Sequence, residues 1–426
     1  MTLTWDRAEV PAQTYDAFEE SQTPWSGGLT TAVFAIAAVM GYVANLGYAP
    51  MVALAGILAV PTLRFSRPWR PVVFALIVLV VWALVSMKWS LAAVDPASLR
   101  KYKDLERLTP AKLVLQLGFY CAFVAAAASL SRRWAERAGL VLGVGVLALA
   151  AMIAFEALRG AELYLWIKQA LGQPTRPDLA ARNVARGGYV GVMLMWVACA
   201  FLMERGWKAA VVFLVGLLFV GVAVFNTDAV LAAMGVGLAV FLCVRMLGPI
   251  GVWLLAAGSA VYFVAAPYVV LAGVQHGLFA YLHPHVGPSW GARLNIWSFT
   301  AAKIVEKPWT GWGLDSSRMF GLAIPLHTHD GALQIWLELG LVGALIVSAI
   351  WACILAPVAV FARTDRVLAA VCAATAASYL TVGALSFGVW QEWWLALGAL
   401  AFAACAVLAR ARAERSPPEI TFLEPL

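Results

Sequence analysis

Charge is scarce in this chain. Asp, Glu, Lys and Arg make up only 12% of its 426 residues, where a water-soluble domain carries about 25%. A large soluble helical protein needs polar faces on its helices. The long apolar segments here have none, so that class is excluded. No Cys-x-x-Cys pair occurs, and all six cysteines (Cys121, Cys199, Cys243, Cys353, Cys372, Cys405) lie inside apolar segments. They read as small core residues, neither a disulfide framework nor a metal site. Met1 to Gly28 is acidic and lacks the basic start, apolar stretch and small-residue cleavage site of a signal peptide. The first helix is therefore expected to serve as a retained insertion signal. The net charge of +7 is scattered among loops, so no soluble basic module exists to bind nucleic acid.

What the chain has in abundance is hydrophobicity: 63% of residues are apolar and the mean hydropathy is +0.83. Apolar segments recur at close to the ~20 residues that cross a bilayer as a helix. They predict an all-α polytopic membrane protein of about twelve transmembrane helices. The first six fall near Leu29–Leu46, Pro50–Leu63, Pro71–Met87, Leu113–Leu130, Gly139–Leu158 and Gly188–Met203. The second six fall near Ala209–Phe225, Ala229–Val244, Leu247–Leu271, Gly331–Ala356, Val367–Val389 and Trp393–Leu408.

The short loops fix an expected orientation. One set holds Arg64, Arg67, Arg70, Arg132, Arg133, Arg137, Arg205, Lys208, Arg245, Arg363 and Arg366, and the tail adds Arg410, Arg412 and Arg415. The opposite short loops, near 47–49, 226–228 and 390–392, contain no Lys or Arg. Both termini are thus expected in the cytoplasm. The expected order is a cytoplasmic tail (1–28), nine helices (29–271), an outer loop (272–330), three helices (331–410) and a second tail (411–426). Lys88–Lys112, Arg159–Gly187 and Ala272–Asp330 then face outward. Their basic residues read either as solvated loop charge or as a cationic vestibule for an anionic ligand.

The richest chemistry runs from Gly291 to Gly340. Histidines His283, His285, His327 and His329 lie in the long outer loop, with His276 at its start. His329 stands just before a predicted helix, at the membrane boundary. There an imidazole with an unperturbed pKa of about 6.5 can act as a general base, or simply hydrogen-bond backbone. Arg293 supplies a permanent charge and a fork suited to phosphate oxygens. A helix N-terminus at Asp330–Gly331 also favours anions. The His-x-His pairs with Asp315 and Asp330 carry metal-ligand chemistry, but no His pair shows helical i,i+4 spacing, so no metal site is assigned. Glu338, nine residues past His329 and about 14 Å along a helix, shares a face with Gln334 and reads as a packing residue. Glu392, amid Trp390, Trp393 and Trp394, reads as part of an interfacial belt.

Several spaced elements agree in order: Arg293, Trp297, the run Lys307-Pro308-Trp309-Thr310-Gly311-Trp312-Gly313, then His327-Thr328-His329-Asp330, Leu333, Gln334, Glu338 and Gly340. This string resembles the O-antigen ligase and polymerase superfamily, closest to the lipopolysaccharide O-antigen ligases, over roughly residues 180–345. The resemblance implies a GT-C-type glycosyltransferase of the bacterial inner membrane with a large periplasmic loop and no cofactor. It implies transfer of a glycan from undecaprenyl pyrophosphate to a sugar hydroxyl of lipid A–core, on the periplasmic side. The resemblance puts the general base on His329 and a pyrophosphate-binding arginine on Arg293.

Two positions depart from the family pattern. Asp330 stands where Asn is usual, and Asn226-Thr227-Asp228 replaces a Ser-Arg pair. Arg186 or Arg182 is expected to take the missing arginine's part in holding the donor pyrophosphate, with Arg318 as a further donor contact. Asp330, His327, Asp228 and Gln334 are the expected supporting residues. A polymerase joining repeat units on the same carrier fits the same residues. A transporter fits less well, because no internal repeat is seen and the ionisable residues gather at the outer boundary.

Overall fold

The computed structural model describes residues 24–63, 69–93 and 108–413. The two tails up to 23 and from 414, with Arg64, Arg67 and Arg415, lie outside the described residues. Every regular element among them is helical. In chain order these are α1 (Pro24–Val43), α2 (Tyr48–Ala59), α3 (Arg70–Ser86), α4 (Thr109–Ala128), α5 (Arg132–Arg159), α6 (Glu162–Ala170), α7 (Pro177–Glu204) and α8 (Lys208–Val224). There follow α9 (Asp228–Leu247), α10 (Pro249–Gln275), α11 (Leu278–Leu282), α12 (Pro288–Glu306), α13 (Gly331–Phe361), α14 (Arg366–Leu385) and α15 (Glu392–Arg412).

The protein is thus an all-α polytopic membrane protein. Nine of these described helices are long and apolar enough to cross a membrane: α1, α4, α5, α7, α9, α10, α13, α14 and α15. Shorter apolar helices cover Tyr48–Thr62, α3 and α8. Each of the twelve predicted segments falls on one of these elements. The main differences lie at charged ends. Helix α7 begins eleven residues before Gly188, with Pro177 in its first turn and Arg182, Asn183 and Arg186 inside it. Hydropathy passes over such polar turns, whereas a first-turn proline favours a helix start. The expected outer loop is also largely helical, because Pro288 opens the amphipathic α12.

Two buried cores organise the bundle. One joins α1, α2, α4, α5, α7, α8, α9, α14 and α15. The other joins α3, α10, α12 and the first half of α13 with Leu314, Ile324 and Trp390. At one end, Arg412 bridges Asp365 and Glu204, each at 2.6 Å, and the Arg410 side chain donates to Leu130 O at 2.7 Å. Asp365 also caps α14, accepting from the amides of Val367 and Leu368. The starts of α4, α9, α13 and α15 and the end of α14 gather at the opposite end.

Helix α13 is broken. Gly340 adopts φ 67, ψ −165, a conformation essentially restricted to glycine. A break frees backbone groups that a membrane protein must satisfy internally. The segment Pro308–Gly313 supplies the partners. Trp312 N–H donates to Leu337 O at 2.7 Å, Gly313 N–H to Glu338 O at 2.8 Å, and Leu341 N–H to Pro308 O at 2.9 Å. The Trp82 indole donates to Leu339 O at 3.0 Å. The contact is backbone to backbone: a Cβ on Gly311 would lie 2.5 Å from Glu338 C, and one on Gly340 would lie 2.3 Å from Trp309 O. The Lys-Pro-Trp-Thr-Gly-Trp-Gly run is therefore a splint for a broken helix.

Candidate functional site

Residues Gly331 to Gly340 are buried all round, so the loop ahead of them stands on a fixed base. Asp330 caps α13: its Oδ1 accepts from Leu333 N–H at 2.9 Å and from the Tyr262 hydroxyl at 3.0 Å. The same hydroxyl accepts from Ala332 N–H at 3.1 Å. The chain's own carboxylate therefore already serves the helix N-terminus expected to attract anions. Burial pushes Asp330 up to about 6, against the pull of these donors. Thr328 is fully buried, and its hydroxyl donates to Asp330 O at 2.7 Å.

This frame holds His329 in the left-handed region, at φ 56. That conformation costs a non-glycine residue on the order of 1–3 kcal/mol and persists only where its surroundings over-determine it. His329 Nδ1 lies 2.8 Å from Ser386 O. A carbonyl only accepts, so Nδ1 carries the proton and Nε2 holds the basic lone pair. The His329 amide donates to His327 Nδ1 at 3.1 Å, and the two rings are 4.1 Å apart. Burial first, then the charges of His329, Arg318 and Arg293, push His327 down to about 3. His327 is thus a neutral acceptor that shapes the loop. Burial and the Arg293 charge also lower His329, while the Ser386 carbonyl opposes them.

Helix α12 delivers Arg293. One turn on, the Trp297 indole donates to Thr328 O at 3.0 Å and fastens α12 to the histidine loop. Arg293 stacks over Trp290 at 4.8 Å and donates to Ser289 Oγ at 2.7 Å. Its Nε is buried with no hydrogen-bond partner among the described residues. Burial lowers its pKa, against the influence of Tyr189 and Asp228. Asp228 accepts from the Trp290 indole at 2.9 Å. No ion pair joins Asp228 to Arg182 or Arg186 among the described contacts.

Arg182, Arg186 and Tyr189 share one face of α7 at helical spacing. The Tyr189 hydroxyl lies 3.5 Å from Ser386 Oγ, and its ring packs on Phe387 at 4.8 Å. That face is therefore turned towards the segment that holds His329. Arg186 is exposed and donates to Asn183 at 3.3 Å. Arg318 is also largely exposed, paired with Asp315 at 3.1 Å. Gln334 is buried, accepting from Val389 N–H at 2.9 Å and donating to Glu338 at 3.0 Å. His283 and His285 lie on a separate turn ahead of α12, where His285 stacks on Tyr281.

The structure thus gathers His327, His329, Asp330 and Arg293 around one loop, with Arg318 near enough to act on His327. Ser386, Tyr189 and Tyr262 were not singled out from the sequence. Ser386 acts through a backbone carbonyl, which no side chain signals, and the tyrosines sit inside apolar helices.

Residues 214–348 match the family model described as O-antigen ligase. Several rickettsial proteins that are provisionally named polysaccharide ligases are similar. One from Rickettsia conorii is 27% identical over 241 residues, covering 52% of this chain and 57% of its own. One from Rickettsia bellii is 29% identical over 221 residues, covering 47% and 52%. One from Rickettsia typhi is 32% identical over 129 residues, covering 26% and 30%. The chain spans about half the length of the first of these relatives. The splint, Arg293, the histidine loop and the helix break all fall inside the stretch that matches this family model.

Proposed function

We propose that the protein is a metal-independent glycosyltransferase of the inner membrane. It moves a glycan from undecaprenyl pyrophosphate to a sugar hydroxyl of lipid A–core at the periplasmic face. The observation that carries this reading is the oriented imidazole. Ser386 O fixes the His329 tautomer, so Nε2 is the basic nitrogen, beside a guanidinium suited to pyrophosphate. Nε2 takes the proton of the acceptor hydroxyl, whose oxygen attacks the anomeric carbon. The bond from that carbon to the pyrophosphate oxygen breaks, and Arg293 offsets the charge developing on the leaving group. One displacement inverts the anomeric centre. Arg186 and Arg182, on the face of α7 that carries Tyr189, extend the cationic surface for the donor. The arginine-rich opposite end, around Arg410 and Arg412, supports a cytoplasmic location for that end and an outward one for the site.

The provisional naming of the relatives as ligases favours ligation over polymerisation. Purified protein given lipid-linked glycan should label added lipid A–core. Elongation of the donor alone would instead indicate a polymerase. His329→Ala should abolish transfer, and undiminished transfer would remove the base assignment. Arg182→Ala with Arg186→Ala should weaken donor binding; an unchanged donor KM would exclude their part.

A further inference from the structure

Glu338 is a buried carboxylate to which the mechanism above gives no part. Donors converge on both of its oxygens. Oε2 accepts the Trp390 indole N–H at 2.6 Å and the Asp315 backbone N–H at 2.8 Å, and Oε1 accepts from Gln334 Nε2 at 3.0 Å. Gln334 passes the grip on, because its Oε1 accepts Val389 N–H at 2.9 Å. One carboxylate and one amide on α13 therefore hold both Val389 and Trp390. These residues belong to the strap 386–391 that joins α14 to α15. The first residue of the strap is Ser386, whose carbonyl orients His329 at 2.8 Å. Its middle runs hard against the histidine loop: a Cβ on Gly388 would meet His327 Cβ at 3.0 Å and Gln334 Oε1 at 3.1 Å.

From this chain of contacts we infer that Glu338 is a positioning residue, which clamps the strap 386–391 through Trp390 and Gln334 and so sets the direction of the His329 imidazole. The inference rests on the reading of His329 as base. Buried carboxylates in membrane helices often carry protons or ions. This one has donors on both oxygens, which suits a fixed acceptor. A carboxylate is required because only it offers acceptors on both oxygens; a glutamine would turn its own NH2 towards one of the donors. The helix break next to it adds to the design. Gly313 N–H bonds to Glu338 O, and Asp315 takes the Thr109 hydroxyl at 2.8 Å. The splint thus holds the Glu338 backbone while its side chain holds the strap that orients the histidine loop.

The test uses the full chain in lipid nanodiscs, with turnover, donor KM, acid limb and amide hydrogen exchange of 386–391 as readouts. Misplacing a catalytic group by 1 Å costs on the order of 100-fold in rate. Glu338→Ala is expected to lower kcat by about that factor, leave donor KM unchanged and speed exchange at Val389. Its acid limb should move to lower pH, because losing the Ser386 carbonyl removes the contact that raises the His329 pKa. Glu338→Gln should fall between it and the parent. Where Glu338→Ala does not fold, Gln334→Ala and Trp390→Phe carry the test. Each leaves one grip on the strap, so each alone should keep most turnover, and the pair should lose far more than the product of the two. Parental exchange and kcat in folded Glu338→Ala, or strictly multiplicative losses in the pair, would overturn the clamp. Full turnover in His329→Ala would remove the base reading instead, and strap exchange in Glu338→Ala would then decide the clamp by itself.

Discussion

Gly340→Ala places one methyl group at the tightest point of the broken helix. The backbone there sits at φ 67, ψ −165, and the added Cβ would lie 2.3 Å from Trp309 O, 2.4 Å from Trp309 C and 2.5 Å from Thr310 N. All three are backbone atoms of the splint, so no side chain can swing aside. Backbone strain of this kind costs about 1–3 kcal/mol, and overpacking a closed contact about 1–3 kcal/mol more. The helix-propensity gain of about 1 kcal/mol that alanine usually brings is not recovered, since the position is not helical. The total, roughly 2–6 kcal/mol, is a large part of the 5–15 kcal/mol that holds a typical domain. Gly216→Ala is the control, because nothing lies within 4 Å of its Cβ position. Thermal melting of both variants in detergent, followed by size exclusion, measures the difference. Gly340→Ala should melt far below Gly216→Ala and transfer no glycan. Equal melting and equal transfer would refute the splint.

Three further outcomes are expected. Transfer should fall on acidification through a pKa below the ordinary His value of about 6.5, because burial and Arg293 both lower His329; Arg293→Gln should move the acid limb of its residual kcat/KM upwards. A limb above that value, or one unmoved in the variant, contradicts the base assignment. The Asp330 carboxyl is raised to about 6 from about 3.9 in an unfolded chain. Its contribution to stability is thus full below pH about 4 and is lost as pH rises through about 6. Melting across this range should lose that slope in Asp330→Asn, which keeps the cap, while Asp330→Ala should cost about 0.5–2 kcal/mol. Trp297→Phe leaves Thr328 O without its indole donor at 3.0 Å and should cost about 1–3 kcal/mol. Turnover should fall more than donor KM changes, as single-turnover kinetics would reveal.

Much of this molecule could be read from hydropathy, since a bilayer imposes a length on every span. The elements that escaped were those whose stability comes from neighbours. The first turns of α7 carry Arg182 and Arg186, and α12 opens at Pro288 with a mixed face, so neither scores as apolar. The string from Arg293 to Gly340 was visible, and its roles followed only partly. His329 and Arg293 could be named from chemistry. Gly311 and Gly340 could be named as motif positions, but their close approach needs coordinates. Trp390 reads as a belt residue because a sequence shows a tryptophan near an interface and not the carboxylate behind it. Ser386 could not be found at all, because its contribution is a carbonyl that every residue possesses.

The splint has a consequence for biogenesis. Helix α13 is not a self-sufficient span: the peptide groups either side of Gly340 find their partners in Pro308–Gly313 and the Trp82 indole. Those partners precede it in the chain and emerge from the ribosome first. A permutation that delivered 331–361 ahead of 307–313 would ask a bilayer to accept bare carbonyls at Leu337 and Glu338. Synthesis in the natural order ensures that acceptors and donors arrive together.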